Sequence, residues 1–459
     1  MTETVNSPRR EMLSQLSLAL PILGGQLAQT GNGVVDTMMA GRVSEHDLAA
    51  VAMGASFWVP FYLFMTGVLM SATPLISRHL GRGSWERVNP LAQQSLWLAL
   101  LLGCVGAVLL RQLEPVVVAM DVEPALRPLV QGYLEGLSWG IPGAALFLSM
   151  RSYTEAMAHT RPVLIISILG LLINIPINYI LIYGKFGMPA MGGVGCGWAS
   201  GITFWLMALM MFGYIRLHRA YARARLSLRQ PQLSPALLGR MLKLGLPIGL
   251  AIFFESSIFA VIALLIGHLG AVVVAGHQVA LNVSSLLFIV PLSLGIAVTV
   301  RVSHARGRGD GSGINLAVRT GYLLAIGSGC LTASLLLLTR GLIPPLYTDN
   351  PEVRQLATGL LLFAGLYQIS DALQIIAAGA LRGFEDTARP MLYTLFSYWG
   401  IGLPTGIVLA QTDWLGTPMG PAGFWIGLLV GLTCSAVLLG IRLHRRRQQE
   451  LVLLATGNA

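Results

Sequence analysis

Twelve runs of about twenty or more nearly uniformly apolar residues follow one another along this chain, and nothing else in it constrains the fold as strongly. They fall at 16–40, 50–76, 91–110, 129–150, 163–183 and 193–215, then at 244–266, 276–300, 317–339, 355–378, 391–411 and 421–441. Each is long enough to cross a hydrocarbon core roughly 30 Å thick as a helix. Within lipid every backbone polar group must be paired inside the protein, so only helices or a closed barrel can span it. Barrel strands alternate over about ten residues; these runs are twice as long and do not alternate. The composition agrees: 11% of residues are charged, where a soluble domain carries about 25%. The expected fold is an all-α polytopic membrane protein with twelve transmembrane helices.

The run at 16–40 is too long for the apolar region of a signal peptide, so the first span is expected to persist in the mature protein. Cys104, Cys196, Cys330 and Cys434 all fall in apolar runs without ligand spacing, and read as buried small side chains. The net charge of +10 might suggest nucleic acid, but its distribution points elsewhere. With the N-terminus in the cytoplasm, 24 of the 30 Lys and Arg residues fall in inside segments. Arg42, Arg111, Arg127, Lys185, Arg340 and Arg354 remain outside. A four-to-one bias of this kind sets topology. It gives an expected topology with both termini in the cytoplasm and accounts for the basic charge with no nucleic-acid partner.

The chain also repeats itself. Leu20-Pro21 matches Leu246-Pro247, Gly41 matches Gly267, and Ser77-x-x-x-Gly81-Arg82-Gly83 matches Ser303-x-x-x-Gly307-Arg308-Gly309, all at an offset of 226. Arg161-Pro162 matches Arg389-Pro390, Pro176 matches Pro404 and Met191-Gly192 matches Met419-Gly420, at an offset of 228. Six spans per half make the two repeats parallel, related by an axis along the membrane normal. The expected organisation is an N-lobe at 1–215, a basic cytoplasmic linker at 216–243 interrupted by Pro231 and Pro235, a C-lobe at 244–441 and a cytoplasmic tail at 442–459. Two pseudo-symmetric six-helix bundles suit an alternating-access transporter.

Three acidic residues lie well inside spans: Asp36, Glu255 and Asp371, with Glu135 a marginal fourth near a span start. An ionised carboxylate at a helix centre costs about 3 kcal/mol on insertion scales, so such groups face a cavity or a partner. A carboxylate can exchange its proton for a cation, which is what coupling ion flow to substrate movement requires. The alternative is a structural carboxylate bonded to a neighbouring helix, and that is the expectation for Glu135. No basic residue falls in the middle of a span, so the acids lack an intramembrane counter-ion and a negative cavity suited to cationic substrates is expected. Gln29, Asn32 and Asp36 share a face of the first span, and Asn174 and Asn178 bracket Pro176 on the fifth. These are read as one N-lobe network around Asp36, although polar packing between helices would give the same pattern.

In the C-lobe, Tyr367 and Asp371 are four apart on the tenth span, as are Gln278 and Asn282 on the eighth; carboxylates with amide oxygens suit a hard cation such as Na⁺. The acids are not repeat-equivalent, since Asp36 aligns with Ile262, Glu255 with Gln29 and Asp371 with Gly143. Pro21, Pro60, Pro74, Pro247 and Pro291 offer bends. Most Met and aromatic residues read as packing. His277 alone among the histidines abuts a span, and neither a metal-site spacing nor a nucleotide-binding glycine pattern is present. No resident metal or cofactor is expected, and the chain is not read as an enzyme.

Leu18-Ala19-Leu20-Pro21, Val35-Asp36-Thr37 followed by Met39-Ala40-Gly41, and Ala378-Gly379-x-Leu381-Arg382-Gly383 resemble the multidrug and toxic compound extrusion (MATE) family over essentially the whole chain. Glu255 and Asp371 are similar to the paired acids of its NorM-type bacterial branch. The resemblance implies a V-shaped pair of bundles exporting cationic, amphipathic drugs and dyes in exchange for Na⁺ or H⁺. It implies a C-lobe cation site of Glu255, Tyr367 and Asp371, and an N-lobe proton or cation network of Asp36, Asn174 and Asn178. The expected function is secondary active efflux by a monomer in contact with membrane lipid. The alternative is a lipid-linked precursor flippase of the same wider superfamily, whose anionic cargo would call for basic residues within the spans.

Overall fold

The computed structural model of the protein describes residues 7–120, 122–224, 226, 233–414 and 416–456. Arg225, Arg229 and Pro231 of the linker lie outside them. Regular structure among the described residues is helical throughout. Long helical segments follow the apolar runs in order. In the first half they are α1 (Pro8–Gly41), α2 (Glu45–Gly81), α3 (Trp85–Arg111), α4 (Arg127–Ala156), α5 (Arg161–Tyr183) and α6 (Gly193–Leu217). In the second they are α7 (Pro235–Leu269), α8 (Ala271–Gly307), α9 (Gly311–Thr339), α10 (Pro351–Gly383), α11 (Ala388–Gln411) and α12 (Pro421–Ala455). Among the described residues, 10 helices are long and apolar enough to cross a membrane. The other two, α1 and α4, have 34 and 30 residues but are diluted by polar side chains, including Gln29, Asn32 and Asp36 in α1 and Glu135, Arg151 and Glu155 in α4.

Local chemistry fixes where these helices start and break. Proline stands in the first turn of α4, α5, α10 and α12, where its missing N–H would be unpaired anyway. Ser44 caps α2 by accepting from Asp47 N at 3.0 Å, and Asn350 caps α10 by accepting from Glu352 N at 2.9 Å. Within α2 the helix lapses at Met70–Ser71 and resumes at Ala72; Pro74 cannot donate to the Met70 carbonyl, which accounts for the lapse. The equivalent position in the second half is Val300, and α8 runs unbroken through it. In α11 the stretch Phe396–Gly402 winds as π-helix just before Pro404.

The repeat seen in the sequence is present in the backbone. Gly192 has φ 56° and ψ −139°, and Gly420 has φ 57° and ψ −136°. In both loops the Met-Gly pair hydrogen-bonds back to the preceding helix: Met191 N to Leu181 O and Met419 N to Leu409 O, then Gly192 N to Ile182 O and Gly420 N to Ala410 O. Thr73 Oγ1 donates to Ser152 O at 3.4 Å and Ser77 Oγ to Ala156 O at 3.2 Å. Thr299 Oγ1 and Ser303 Oγ reach Gly379 O and Gly383 O at 2.8 and 3.4 Å. The offset therefore passes through 227 between the two values found in the sequence. At 227, Asp371 lies over Ala144 rather than Gly143.

The chain divides into two compact units, Leu20–Gly249 (the N-unit) and Met1–Ala19 with Leu250–Ala459 (the C-unit). These boundaries correct the expected lobes. The start of α1 belongs to the C-unit because Gln15 donates to Ala317 O and Thr320 Oγ1, both at 2.9 Å, and Glu11 pairs with Arg301. The first turns of α7 belong to the N-unit, where Met241 is buried in the core and Gly245 packs against the Val68 backbone. Part of the expected linker also packs into the N-unit, with Tyr221 fully buried and Tyr153 donating to Ala224 O. The expected tail at 442–459 is no tail up to residue 455: α12 continues through it, Arg442 pairs with Asp386, and Glu450 pairs with Arg306 and Arg446. Of the four cysteines only Cys196 is buried; Cys104 and Cys330 are exposed on their helices.

The Met-Gly loops give a paired test. Alanine at either Gly192 or Gly420 meets a conformation that costs an L-residue about 1–3 kcal/mol. At Gly192 the added Cβ also lies 2.5 Å from Asp47 Oδ1, whereas nothing lies within 4 Å at Gly420. Both variants are expected to melt below the wild type in detergent micelles, Gly192→Ala by the larger margin.

Candidate functional site

In the N-unit, Asp36 of α1 is 5% exposed. Its Oδ1 accepts from Asn178 Nδ2 of α5 at 2.6 Å, and its Oδ2 accepts from Ser200 Oγ of α6 at 2.8 Å. Asn178 Nδ2 also donates to Asn174 Oδ1 at 2.8 Å, one helical turn earlier, and Asn174 Nδ2 reaches Thr203 Oγ1 at 3.4 Å. Cys196 Sγ lies 3.6 Å from the Asp36 carbonyl. The structure thus joins Asp36, Asn174 and Asn178 and extends the cluster to α6. Asn32 Oδ1 and Asn178 Oδ1 are buried amide oxygens without a hydrogen-bond partner among the described residues, which costs about 1–3 kcal/mol each unless something donates to or ligates them. Gln29 turns elsewhere: Nε2 donates to Ser167 Oγ at 3.2 Å, and Oε1 accepts from Tyr62 OH at 3.0 Å.

In the C-unit, Glu255 of α7 meets two groups that the sequence did not single out. Its Oε1 accepts from Gln374 Nε2 of α10 at 2.9 Å and from Tyr398 OH of α11 at 3.0 Å, and the Tyr398 hydroxyl is 2.9 Å from Gln374 Nε2. Tyr398 sits in the π-helical stretch, which turns it inward to be fully buried. Asp371, one turn before Gln374 on α10, is 4% exposed. It takes no hydrogen bond from the described residues, while the charge of Glu255 acts on it. Two neighbouring acids, one of them without a donor among the described residues, form a site that a proton or a cation would stabilise.

Tyr367 makes no hydrogen bond to either acid among the described residues, although the charges of both act on it; its ring stacks on Trp425 with centroids 6.0 Å apart and planes at 9°. Two expectations for this unit are corrected. Gln278 and Asn282 are exposed on α8 and bond each other, Gln278 Nε2 to Asn282 Oδ1 at 3.3 Å, with no bond to Glu255 or Asp371. The acids are also not without a buried cation. Helix α10 continues past its apolar run to Gly383, and Arg382, 7% exposed, folds back so that Nη2 lies 3.6 Å from the Cβ position of Gly295 on α8. Its charge acts on Glu255. His277, also buried, accepts at Nδ1 from Trp425 Nε1 at 3.1 Å and so backs the Tyr367–Trp425 stack. Glu135 lies apart from both clusters, lining a cavity at the end of α3.

Ser200, Thr203, Gln374 and Tyr398 each left a faint trace in the sequence. Ser200 and Thr203 are three apart on an otherwise apolar helix, and Gln374 follows Asp371 at helical spacing. Nothing local predicted the π-turn that aims Tyr398. Among the described residues no group of three or more His, Cys, Asp and Glu forms a metal cluster.

The MatE family model matches residues 21–180 and 247–408, once in each half. The chain is 50% identical over 438 residues to the multidrug resistance protein PmpM of Pseudomonas aeruginosa, covering 95% of this chain and 92% of that one. It is 46% identical over 430 residues to a probable multidrug resistance protein NorM of Shewanella oneidensis, covering 94% of each. Its fold is that of the eukaryotic MATE transporter AtDTX14, with a TM-score of 0.86 at 22% identity over 97% of this chain and 99% of that one. The Vibrio cholerae MATE transporter VcmN in its bent form gives 0.85 at 16% identity, over 97% and 99%.

Hydrogen bonds between membrane helices contribute on average about 0.6 kcal/mol and at most about 1.7. Ser200→Ala, which removes one donor from Asp36, is expected to lower stability within that range. Asn178→Ala, which removes a donor shared by Asp36 and Asn174, is expected to lower it more. Denaturant unfolding in micelles followed by tryptophan fluorescence ranks the two.

Proposed function

The chain belongs to the MatE family, and on that premise we propose that it is a secondary active multidrug efflux transporter, exporting organic cations in antiport with Na⁺ or H⁺. One observation carries the reading. Each half of a duplicated helical frame sets carboxylates within its spans, buried Asp36 in one and half-buried Glu255 with buried Asp371 in the other, and the hydrogen bonds to Asp36 and Glu255 come from uncharged amides and hydroxyls. The multidrug resistance names of two relatives at 46% and 50% identity support the same substrate class.

The residues divide the work by their bonding. Gln374 and Tyr398 hold Glu255 in one orientation, and the charge of Arg382 offsets part of its own. Asp371, with neither donor nor counter-ion beside it among the described residues, is the group that gains most from an incoming proton or Na⁺. Carboxylate and amide oxygens are the ligands a hard cation takes. An organic cation is drawn by the same negative charge, so coupling ion and cargo compete for it. That competition gives exchange rather than leak, because a state that has released the one is the state that accepts the other. In the N-unit, Asn32 Oδ1 and Asn178 Oδ1 offer further oxygens beside the Asp36 cluster. The transporter acts in the bacterial inner membrane with both termini in the cytoplasm, an orientation that the Lys and Arg distribution supports.

Asp371→Asn and Glu255→Gln are each expected to reduce ethidium efflux from cells to background while the protein still inserts and folds. Normal export by both variants overturns the assignment. In proteoliposomes, raising Na⁺ or lowering pH on the side to which substrate is exported is expected to accelerate its movement. Efflux indifferent to both gradients overturns antiport, and varying the ions one at a time identifies the coupling ion.

A further inference from the structure

At the end of the N-unit where α3 finishes and α4 begins, a cavity of about 260 Å³ is lined by Arg111, Arg127, Glu114 and Glu135. It lies apart from the carboxylate clusters and shares no residue with them. Its volume falls just below the range of about 300–1,000 Å³ typical of drug-sized ligands, so it suits a small polar group. The lysine and arginine bias puts this end of the bundle at the outer face of the membrane.

The bonding of the four charged side chains is unusual. Arg111 uses Nε to donate to Ser138 Oγ at 2.9 Å, and its guanidinium lies 4.4 Å from the centre of the Trp139 ring. Arg127 uses Nε to donate to Val122 O at 2.8 Å. Each arginine is thereby anchored through Nε, while the terminal nitrogens make no hydrogen bond among the described residues. Neither arginine is ion-paired with Glu114 or Glu135, although all four line the same space. Glu114 accepts only from Gln131 Nε2, at 3.3 Å, and the Glu135 carboxylate takes no bond among the described residues. Long flexible side chains of opposite charge around one cavity ordinarily collapse into pairs. Here the arginines are held back by their own anchors, so that positive and negative groups face a common volume.

We propose that this cavity binds the phosphoethanolamine headgroup of a zwitterionic phospholipid. The two arginine forks match the geometry and charge of a phosphate, and the carboxylates of Glu114 and Glu135 accept from the ammonium. Val117 and Leu134 supply an apolar wall for the methylenes and glycerol. Trp139 is 56% exposed and carries Arg111 on its ring face, the arrangement of an aromatic belt residue at headgroup depth. A ligand carrying phosphate alone would leave the carboxylates facing it, and a simple amine would leave the arginines; a zwitterion satisfies both.

The experiment is native mass spectrometry of the full-length protein released from micelles after titration with phosphatidylethanolamine, phosphatidylglycerol or soluble phosphoethanolamine. The wild type is expected to retain phosphatidylethanolamine at least tenfold more tightly than either of the others. The double variant R111Q/R127Q is expected to lose that retention, and E114Q/E135Q to bind the two lipids equally. Because Arg111 also supports Ser138, R127Q alone is measured beside the double variant, and lipid-free melting temperatures identify any variant that is merely unfolded. Equal retention of the two lipids by the wild type overturns the proposal, as does retention of phosphatidylethanolamine unchanged in R127Q and the double variant. Soluble phosphoethanolamine binding as tightly as the lipid also overturns it, making the site one for a free metabolite. None of these outcomes depends on whether the protein exports cations.

Discussion

A polar group carried into hydrocarbon has to be paired within the protein, and the rest of this structure depends on that requirement. It makes every span a helix. It also lets helices be joined by the few side chains that can reach a neighbouring carbonyl, as Thr73 and Ser77 reach α4 and Thr299 and Ser303 reach α10. Where helices come closest, glycine replaces the side chain altogether. A Cβ on Gly140 would run into the Gly201 backbone between α4 and α6, and one on Gly379 into the Gly295 carbonyl between α10 and α8. Against that background, the oxygens of Asn32 and Asn178 and the carboxylate of Asp371, which take no hydrogen bond among the described residues, stand out beside the carboxylate clusters as places where the pairing is left for something else.

The frame was legible because its signals are long. Apolar runs of twenty residues, the charge bias between alternate loops and the Leu-Pro, Ser-Gly-Arg-Gly and Met-Gly repeats all add up over many positions, so no single misreading upsets them. Helix ends were less legible. A run stops being apolar where lipid stops, but the helix continues as long as its side chains find partners, which is why α10 reaches Arg382 and α12 runs on to Ala455. The acids were found because a carboxylate is conspicuous in an apolar run. Ser200, Thr203 and Tyr398 were not, since hydroxyls are common on membrane helices and only helix rotation decides what they face. Gln278 and Asn282 show the converse, a pair at helical spacing that turns out to satisfy itself.

The two halves share a scaffold and differ in chemistry position by position. Gln29 and Glu255 are repeat-equivalent, and each accepts from a tyrosine hydroxyl, Tyr62 in one half and Tyr398 in the other. Those tyrosines come from non-equivalent helices, α2 and α11. One position carries a neutral amide and the other a carboxylate; the first half has its acid at Asp36 instead, and the second half has a further one at Asp371. The scaffold therefore sets where a buried acid can be supported, and the side chains around it decide whether it is bonded, as Asp36 and Glu255 are, or left open, as Asp371 is.

The drift of the repeat offset from 226 to 228 says where such a scaffold can change length. One residue inserted inside a helix rotates everything beyond it by about 100°; in α10 that would carry Gln374 off the side it shares with Glu255. The later of the two insertions lies in a turn instead. Four residues join Ala156 to Arg161, and five join Gly383 to Arg389. The two turns begin alike, with Ala158 at φ 60° and Glu385 at φ 59°, and with His159 N on Thr154 O and Asp386 N on Leu381 O. The extra residue follows Asp386, where helical phase has already been given up and a new helix can start at any angle. The longer turn is also the one whose Glu385 and Asp386 pair with Arg306 and Arg442. The growth that can be placed thus lies at a joint, and that joint has been tied down again by charge.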